Sequence, residues 1–217
     1  MPRTTLDSHA IPPPIEGRRL GRALAHLAAA DPDLARALAE VGRPPPRHRP
    51  PGFGALLDII TAQQLSTAAA RSIGTRLAAA LDGAPEPGPF LALDDARLAA
   101  IGFSRAKIRY GRSLAEAVAV GALDLAGLAR LPDEAAIAQL VRIPGIGRWS
   151  AEVYLLFALN RPDVLPADDL ALLVGFQRVR GEAERPKPAA LRAHGEAWRP
   201  WRSVAARLLW HYYAKAR

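Results

Sequence analysis

Apolar residues recur at helical spacing along almost the whole chain, and no run of alternating apolar and polar residues is long enough for a sheet strand. Leu20, Leu24 and Leu27 mark one helical face within residues 19–40, and Asp31 followed by Pro32 fits the cap and first-turn proline of a second, short helix. Residues 42–54, GRPPPRHRPPGFG, hold too many prolines for a helix interior and read as a linker carrying three arginines. The helical pattern returns over 55–81 with a break near Gln63 and Gln64, and gives way to a loop at 82–88. It resumes over 94–100, 104–120, 124–129 and 133–141. Residues 1–17 are Pro-rich and read as a flexible arm.

The most informative stretch is 140–159, LVRIPGIGRWSAEVYLLFAL, followed by Asp168 and Asp169 in VLPADDLALL. It reads as helix, tight glycine turn, helix, and then a carboxylate pair opening a further helix. Pro144 and Gly145 break the first pattern, Gly147 supplies a second residue free to take unusual backbone angles, and the apolar pattern resumes at Trp149. Such a hairpin points backbone N–H groups outward from a helix start, where a phosphate is the natural guest.

Composition narrows the class. A chain of 217 residues buries one core or two small lobes. Its net charge of +8 favours a polyanionic partner. With no cysteine, disulfides, thiol nucleophiles and Cys-ligated clusters are excluded. The five histidines are scattered, no His/Asp/Glu group has zinc or magnesium spacing, and no nucleotide-binding loop is present. The N-terminal residues lack the apolar core of a signal peptide, and the apolar run at 153–159 falls well short of the roughly 20 residues a membrane span needs. A cytoplasmic protein is expected, with no membrane association.

Four segments, in order, resemble the helix-hairpin-helix (HhH-GPD) DNA glycosylase superfamily, and within it the alkyladenine branch of the 3-methyladenine DNA glycosylase II type. They are residues 59–77 (IITAQQLSTAAARSIGTRL), 98–118 (LAAIGFSRAKIRYGRSLAEAV), the hairpin IPGIG at 143–147, and 198–213 (WRPWRSVAARLLWHYY). Asp169 stands at the position of the family's catalytic aspartate. The resemblance implies an all-α fold of two helical lobes with a DNA-binding cleft between them, without the N-terminal β domain of larger relatives. The terminal lobe would comprise residues 18–57 plus 168–217, and the central lobe residues 58–167, with the helix-hairpin-helix at 137–159.

It further implies a monofunctional hydrolase that flips an alkylated purine out of double-stranded DNA, cuts its N-glycosidic bond and leaves an abasic site. Family members that also cleave the strand carry a lysine two residues after the second hairpin glycine, where this chain has Trp149. Asp169 would be catalytic and Asp168 a helix cap, a distinction that spacing alone does not make. Trp149 and Trp210 would form the base pocket, a suitable lining for a cationic, electron-poor base. Val153 stands where some larger relatives have an aromatic residue, which implies a wider or less strongly stacking pocket. Gln64 or Leu65 would be the wedge that fills the gap in the duplex. DNA contacts are expected from Gln63, Gly145, Gly147, Arg148 and Ser150, and phosphate contacts also from Arg105 and Lys107.

No cofactor is expected to be required. The resemblance implies only a monovalent cation, sodium or potassium, held by the main-chain carbonyls of Val141, Ile143 and Ile146, and no iron-sulfur cluster. The partner would be duplex DNA with a damaged base, and the enzyme a monomer. The alternative is a non-catalytic helix-hairpin-helix protein that binds DNA lesions, in which the aspartate is only a cap.

Overall fold

A computed structural model describes residues 11–215 of the chain. These residues form helices α1 (Gly17–Ala30), α2 (Pro32–Val41), α3 (Phe53–Ala62), α4 (Thr67–Ala80), α5 (Pro87–Ala92), α6 (Asp95–Ile101) and α7 (Arg105–Ala119). Then follow α8 (Leu125–Leu128), α9 (Asp133–Leu140), α10 (Arg148–Phe157), α11 (Leu170–Arg180), α12 (Pro188–His194), a 3-10 turn (Gly195–Trp198) and α13 (Arg202–Lys215). There is no strand among the described residues, so the fold is all-helical. The chain divides into two compact units, one holding residues 49–154 and the other residues 12–48 with 155–215.

In the first unit, α7 packs against α3, α5 and α6. Its core is an edge-to-face run of Phe53, Phe90 and Phe103, with centroids 5.8 and 6.1 Å apart. Gly111 of α7 admits Phe90, since a Cβ there would lie 2.8 Å from the ring. Tyr154, fully buried, accepts a hydrogen bond from the Gly52 amide on its hydroxyl (3.1 Å), which ties α10 to the start of α3. Burial pushes the Tyr154 phenol up to about 12.

In the second unit, α13 packs against α11, α2 and α1. Gly175 brings α11 and α13 together: a Cβ there would stand 2.6 Å from the Leu209 carbonyl. Asp31 caps α2, as its pairing with Pro32 predicts, accepting from the Asp33 amide at 2.9 Å. The same carboxylate receives Trp198 Nε1 and lies against His194 Nε2, each at 2.8 Å. Burial raises its pKa, but the donors of His194, Trp198, Asp33 and Leu34 together outweigh that and hold it below the ordinary carboxylate value.

Two expectations are corrected here. Up to residue 10 the N-terminal arm lies outside the described residues, but the stretch just beyond is fastened. Arg207 Nη1 donates to Ile15 O (2.9 Å) and Asn160 Nδ2 to Pro12 O (3.0 Å). The linker is likewise held, by Arg207 Nη2 on Pro45 O at 3.1 Å. Helices α5 and α12 are not marked in the sequence: six and seven residues long, they have no side-chain cap, whereas the equally short α6 and α8 follow the capping residues Asp94 and Asp124.

Candidate functional site

In the second unit, the loop after α10 delivers Asp169 to the start of α11. Its Oδ1 accepts from the Leu172 amide at 2.8 Å and from Trp210 Nε1 of α13 at 2.9 Å. The carboxylate is thus the N-cap of α11 and is also gripped from a second helix, an arrangement that the close approach at Gly175 permits. It remains partly exposed. The capping role expected of Asp168 belongs to Asp169, because the cap must sit directly before the first helical residue, Leu170. Asp168 is exposed and paired with Arg192 of α12.

Trp210 is half-buried, and its ring stacks on Phe157 with centroids 5.6 Å apart and planes at 28°. The Arg47 guanidinium lies 4.6 Å from the Phe157 centroid. Neither Phe157 nor Arg47 carries a motif that would have singled it out. Tyr212 and Tyr213 point to different partners, Tyr212 donating to Glu40 (3.0 Å) and Tyr213 lying under Arg178.

In the first unit, α9 and α10 flank the hairpin. Ile143 and Ile146 are buried and anchor it, joined by a bond from the Ile146 amide to Ile143 O at 3.0 Å. Gly145 takes a φ of +86°, and a Cβ there would stand 2.3 Å from the ring of Tyr110, so backbone angle and space both demand glycine. Gly147 corrects the expectation of a second unusual angle. It is absent from the left-handed residues, and a Cβ on it would meet nothing within 4 Å, so what it offers is open space in front of the helix start. The Gly147 carbonyl accepts from the Ala151 amide (3.0 Å), so helical bonding begins there and the first amides of α10 face out of its end.

Several predicted DNA contacts have partners within the protein. Gln63 Nε2 donates to Gly145 O (2.9 Å) and Ser150 Oγ (3.1 Å), bracing the hairpin from behind. Ser150 is only 2% exposed. Lys107 is not a surface charge but donates to Thr61 O (2.7 Å) and Gln63 O (2.8 Å), satisfying carbonyls at the end of α3. Burial pulls its ammonium below the ordinary value. Arg148 pairs with Glu134 (2.5 Å) and the buried Glu152 (2.9 Å). Hydrogen bonding to Glu134, opposed by burial and aided by the Glu152 charge, raises its pKa.

Gln64 and Leu65 stand out at the turn between α3 and α4. Gln64 is exposed at φ +57°, Leu65 is 40% exposed, and Ser66 caps α4 by accepting from the Ala69 amide at 3.2 Å. Trp149 is half-buried in the first turn of α10, and Val153 one turn on is buried. Val141, 42% exposed, completes the hairpin. Arg105 is exposed at the start of α7. Among the described residues no group of three His, Cys, Asp or Glu is placed to hold a metal ion, and no helix is long and apolar enough to cross a membrane.

Comparison with known proteins finds matching relatives. Residues 57–200 match the HhH-GPD superfamily of base excision DNA repair proteins. The chain is 34% identical over 197 residues to DNA-3-methyladenine glycosylase 1 of Schizosaccharomyces pombe, covering 88% of this chain and 86% of the relative. The solved structure of a 3-methyladenine DNA glycosylase from the same yeast in complex with abasic DNA has a TM-score of 0.78 at 33% identity, over 87% of this chain and 95% of that one. A DNA-3-methyladenine glycosidase from Bacillus halodurans gives 0.77 at 32% identity, over 89% of each chain.

Proposed function

The chain belongs to the HhH-GPD superfamily of base excision DNA repair proteins, and from that premise we propose that it is a monofunctional alkylpurine DNA glycosylase acting as a monomer on duplex DNA in the cytoplasm. The observation that carries this reading is the carboxylate of Asp169, fixed at the start of α11 by two donors from different helices yet partly open to solvent.

Breaking an N-glycosidic bond sends the bonding electron pair to the base and leaves positive charge across C1′ and the ring oxygen of the sugar. A fixed carboxylate beside C1′ lowers the energy of that state, and it can accept a proton from the water that then adds to C1′. An alkylated purine such as 3-methyladenine or 7-methylguanine already carries positive charge and departs neutral, so no general acid is needed. Trp210, bonded to Asp169, supplies an aromatic face for the cationic base, and Trp149 is the aromatic side chain that the first unit offers. Trp149 also stands where strand-cleaving members have lysine, so the products are a free base and an intact strand with an abasic site.

Flipping requires a filler, for which the protruding Gln64 and Leu65 are suited. The amides at Gly145 and Gly147 and the start of α10 meet the phosphate backbone. Carbonyl oxygens are hard donors with two lone pairs each, and Ile143 O uses one for the Ile146 amide. Such a set, from Val141, Ile143 and Ile146, fits a sodium or potassium ion, whose charge would add to the attraction for phosphate.

A non-catalytic, lesion-binding role is favoured by one fact: Asp169 does cap a helix. Asparagine caps equally well, so Asp169→Asn keeps the cap and removes the charge. Wild type should release methylated bases from duplex DNA, with strand breaks only after alkali, while the variant binds the DNA and releases none. Equal release by both would remove Asp169 from the chemistry.

A further inference from the structure

We infer that Arg47, in the proline-rich linker, is a positioning residue for the glycosylase reaction, acting on the Asp169 carboxylate through Phe157 and Trp210. The inference rests on the reading of Asp169 as the catalytic carboxylate. Four groups form a continuous ladder within one unit. The Arg47 guanidinium sits 4.6 Å from the Phe157 centroid, Phe157 stacks on Trp210 at 5.6 Å, and Trp210 Nε1 donates to Asp169 Oδ1 at 2.9 Å.

Each rung limits the next. Phe157 is 2% exposed at the end of α10, so its ring moves little except along its stacking faces. The plane of Trp210 follows the ring it stacks on, and the direction of its N–H follows that plane. That N–H is the donor brought to Asp169 from a helix other than its own.

Arg47 is well placed to hold the first rung. Pro44, Pro45 and Pro46 precede it and Pro50 and Pro51 follow, which restricts the backbone on both sides. Two residues before it, Pro45 O is pinned by Arg207, itself 8% exposed and bonded to Ile15 O. A planar guanidinium lies flat on a ring, whereas an ammonium is a point charge, so arginine suits this rung better than lysine. Since Arg47 is exposed, its replacement leaves the core intact.

The test uses the full-length protein with Arg47→Met, which keeps the apolar stem, and Arg47→Lys, which keeps the charge. Single-turnover base release at saturating enzyme should fall about tenfold in Arg47→Met and less in Arg47→Lys, because small misplacements of a catalytic group are costly. The dissociation constant for abasic-site duplex should stay within about twofold of wild type, since no phosphate contact is lost. A second readout does not depend on turnover: the indole N–H resonance of Trp210, assigned by its loss in Trp210→Phe, should move in Arg47→Met and move less in Arg47→Lys. An unmoved resonance overturns the inference whether or not the wild type releases bases. So does weakened DNA binding with an unchanged single-turnover rate, which would make Arg47 a phosphate contact, or a lowered melting temperature with rate and resonance both unchanged.

Discussion

Both proposed working parts of this protein are helix starts, yet they are built in opposite ways. At the start of α10 the proposed functional group is the backbone. Side chains are drawn back from it: Gln63 and Ser150 brace it from behind, Tyr110 fills the space under Gly145, and Arg148 is committed to Glu134 and Glu152. At the start of α11 the proposed functional group is a side chain, that of Asp169, and the surroundings hold it forward through the Leu172 amide and Trp210. The hairpin should therefore be sensitive to backbone geometry and indifferent to most nearby charges, and the Asp169 cap the reverse.

The largest effect should come from the charge itself. Asp169→Asn is expected to lower base release by about 10²–10³-fold or more while leaving the denaturation midpoint nearly unchanged, because the cap survives. Next is Gly145→Ala, which combines a strained φ with a collision on Tyr110 and should cost about 2–4 kcal/mol in chemical denaturation. Gly147→Ala sharpens the contrast. With open space around it, the cost in stability should be under about 1 kcal/mol, and the loss should appear in DNA affinity if phosphate approaches there. Equal behaviour of the two glycine variants would break the distinction between a structural and a contact glycine.

Lys107→Met should cost about 1–2 kcal/mol by leaving two carbonyls at the end of α3 without their donor. The slope of DNA affinity against salt should not change, as it would for a phosphate contact. The smallest effect is the pH dependence at Asp31. Its pKa is depressed in the folded state, so its contribution is complete above the ordinary value of 3.8 and is lost as pH falls below that value, through the depressed one. Denaturation midpoints followed from pH 6 to pH 2.5 should fall less steeply in Asp31→Asn than in wild type.

The helical scaffold is legible in the sequence where an element repeats its apolar face, Asp31 with Pro32 marks the start of α2, and Pro144 and Gly145 mark the hairpin before α10. The sequence also points to Asp169, but gives to Asp168 the cap that Asp169 makes. The short helices α5 and α12 lack the capping side chain that precedes the equally short α6 and α8, and long-range partnerships leave no spacing at all. Gln63 finds Gly145 across 82 positions and Lys107 finds Thr61 across 46, partners that the sequence, which offers both side chains as DNA contacts, does not reveal. At Gly147 the sequence suggests an unusual backbone angle where the structure has an open face, because both select glycine.

The most direct test of the account is single-turnover base release from methylated duplex DNA by wild type and by Asp169→Asn, both shown to be folded and bound to the DNA. Wild type should release 3-methyladenine and 7-methylguanine with strand breaks only after alkali, and the variant should show no comparable release. Undiminished release by Asp169→Asn would contradict it, leaving Asp169 as nothing more than the cap of α11.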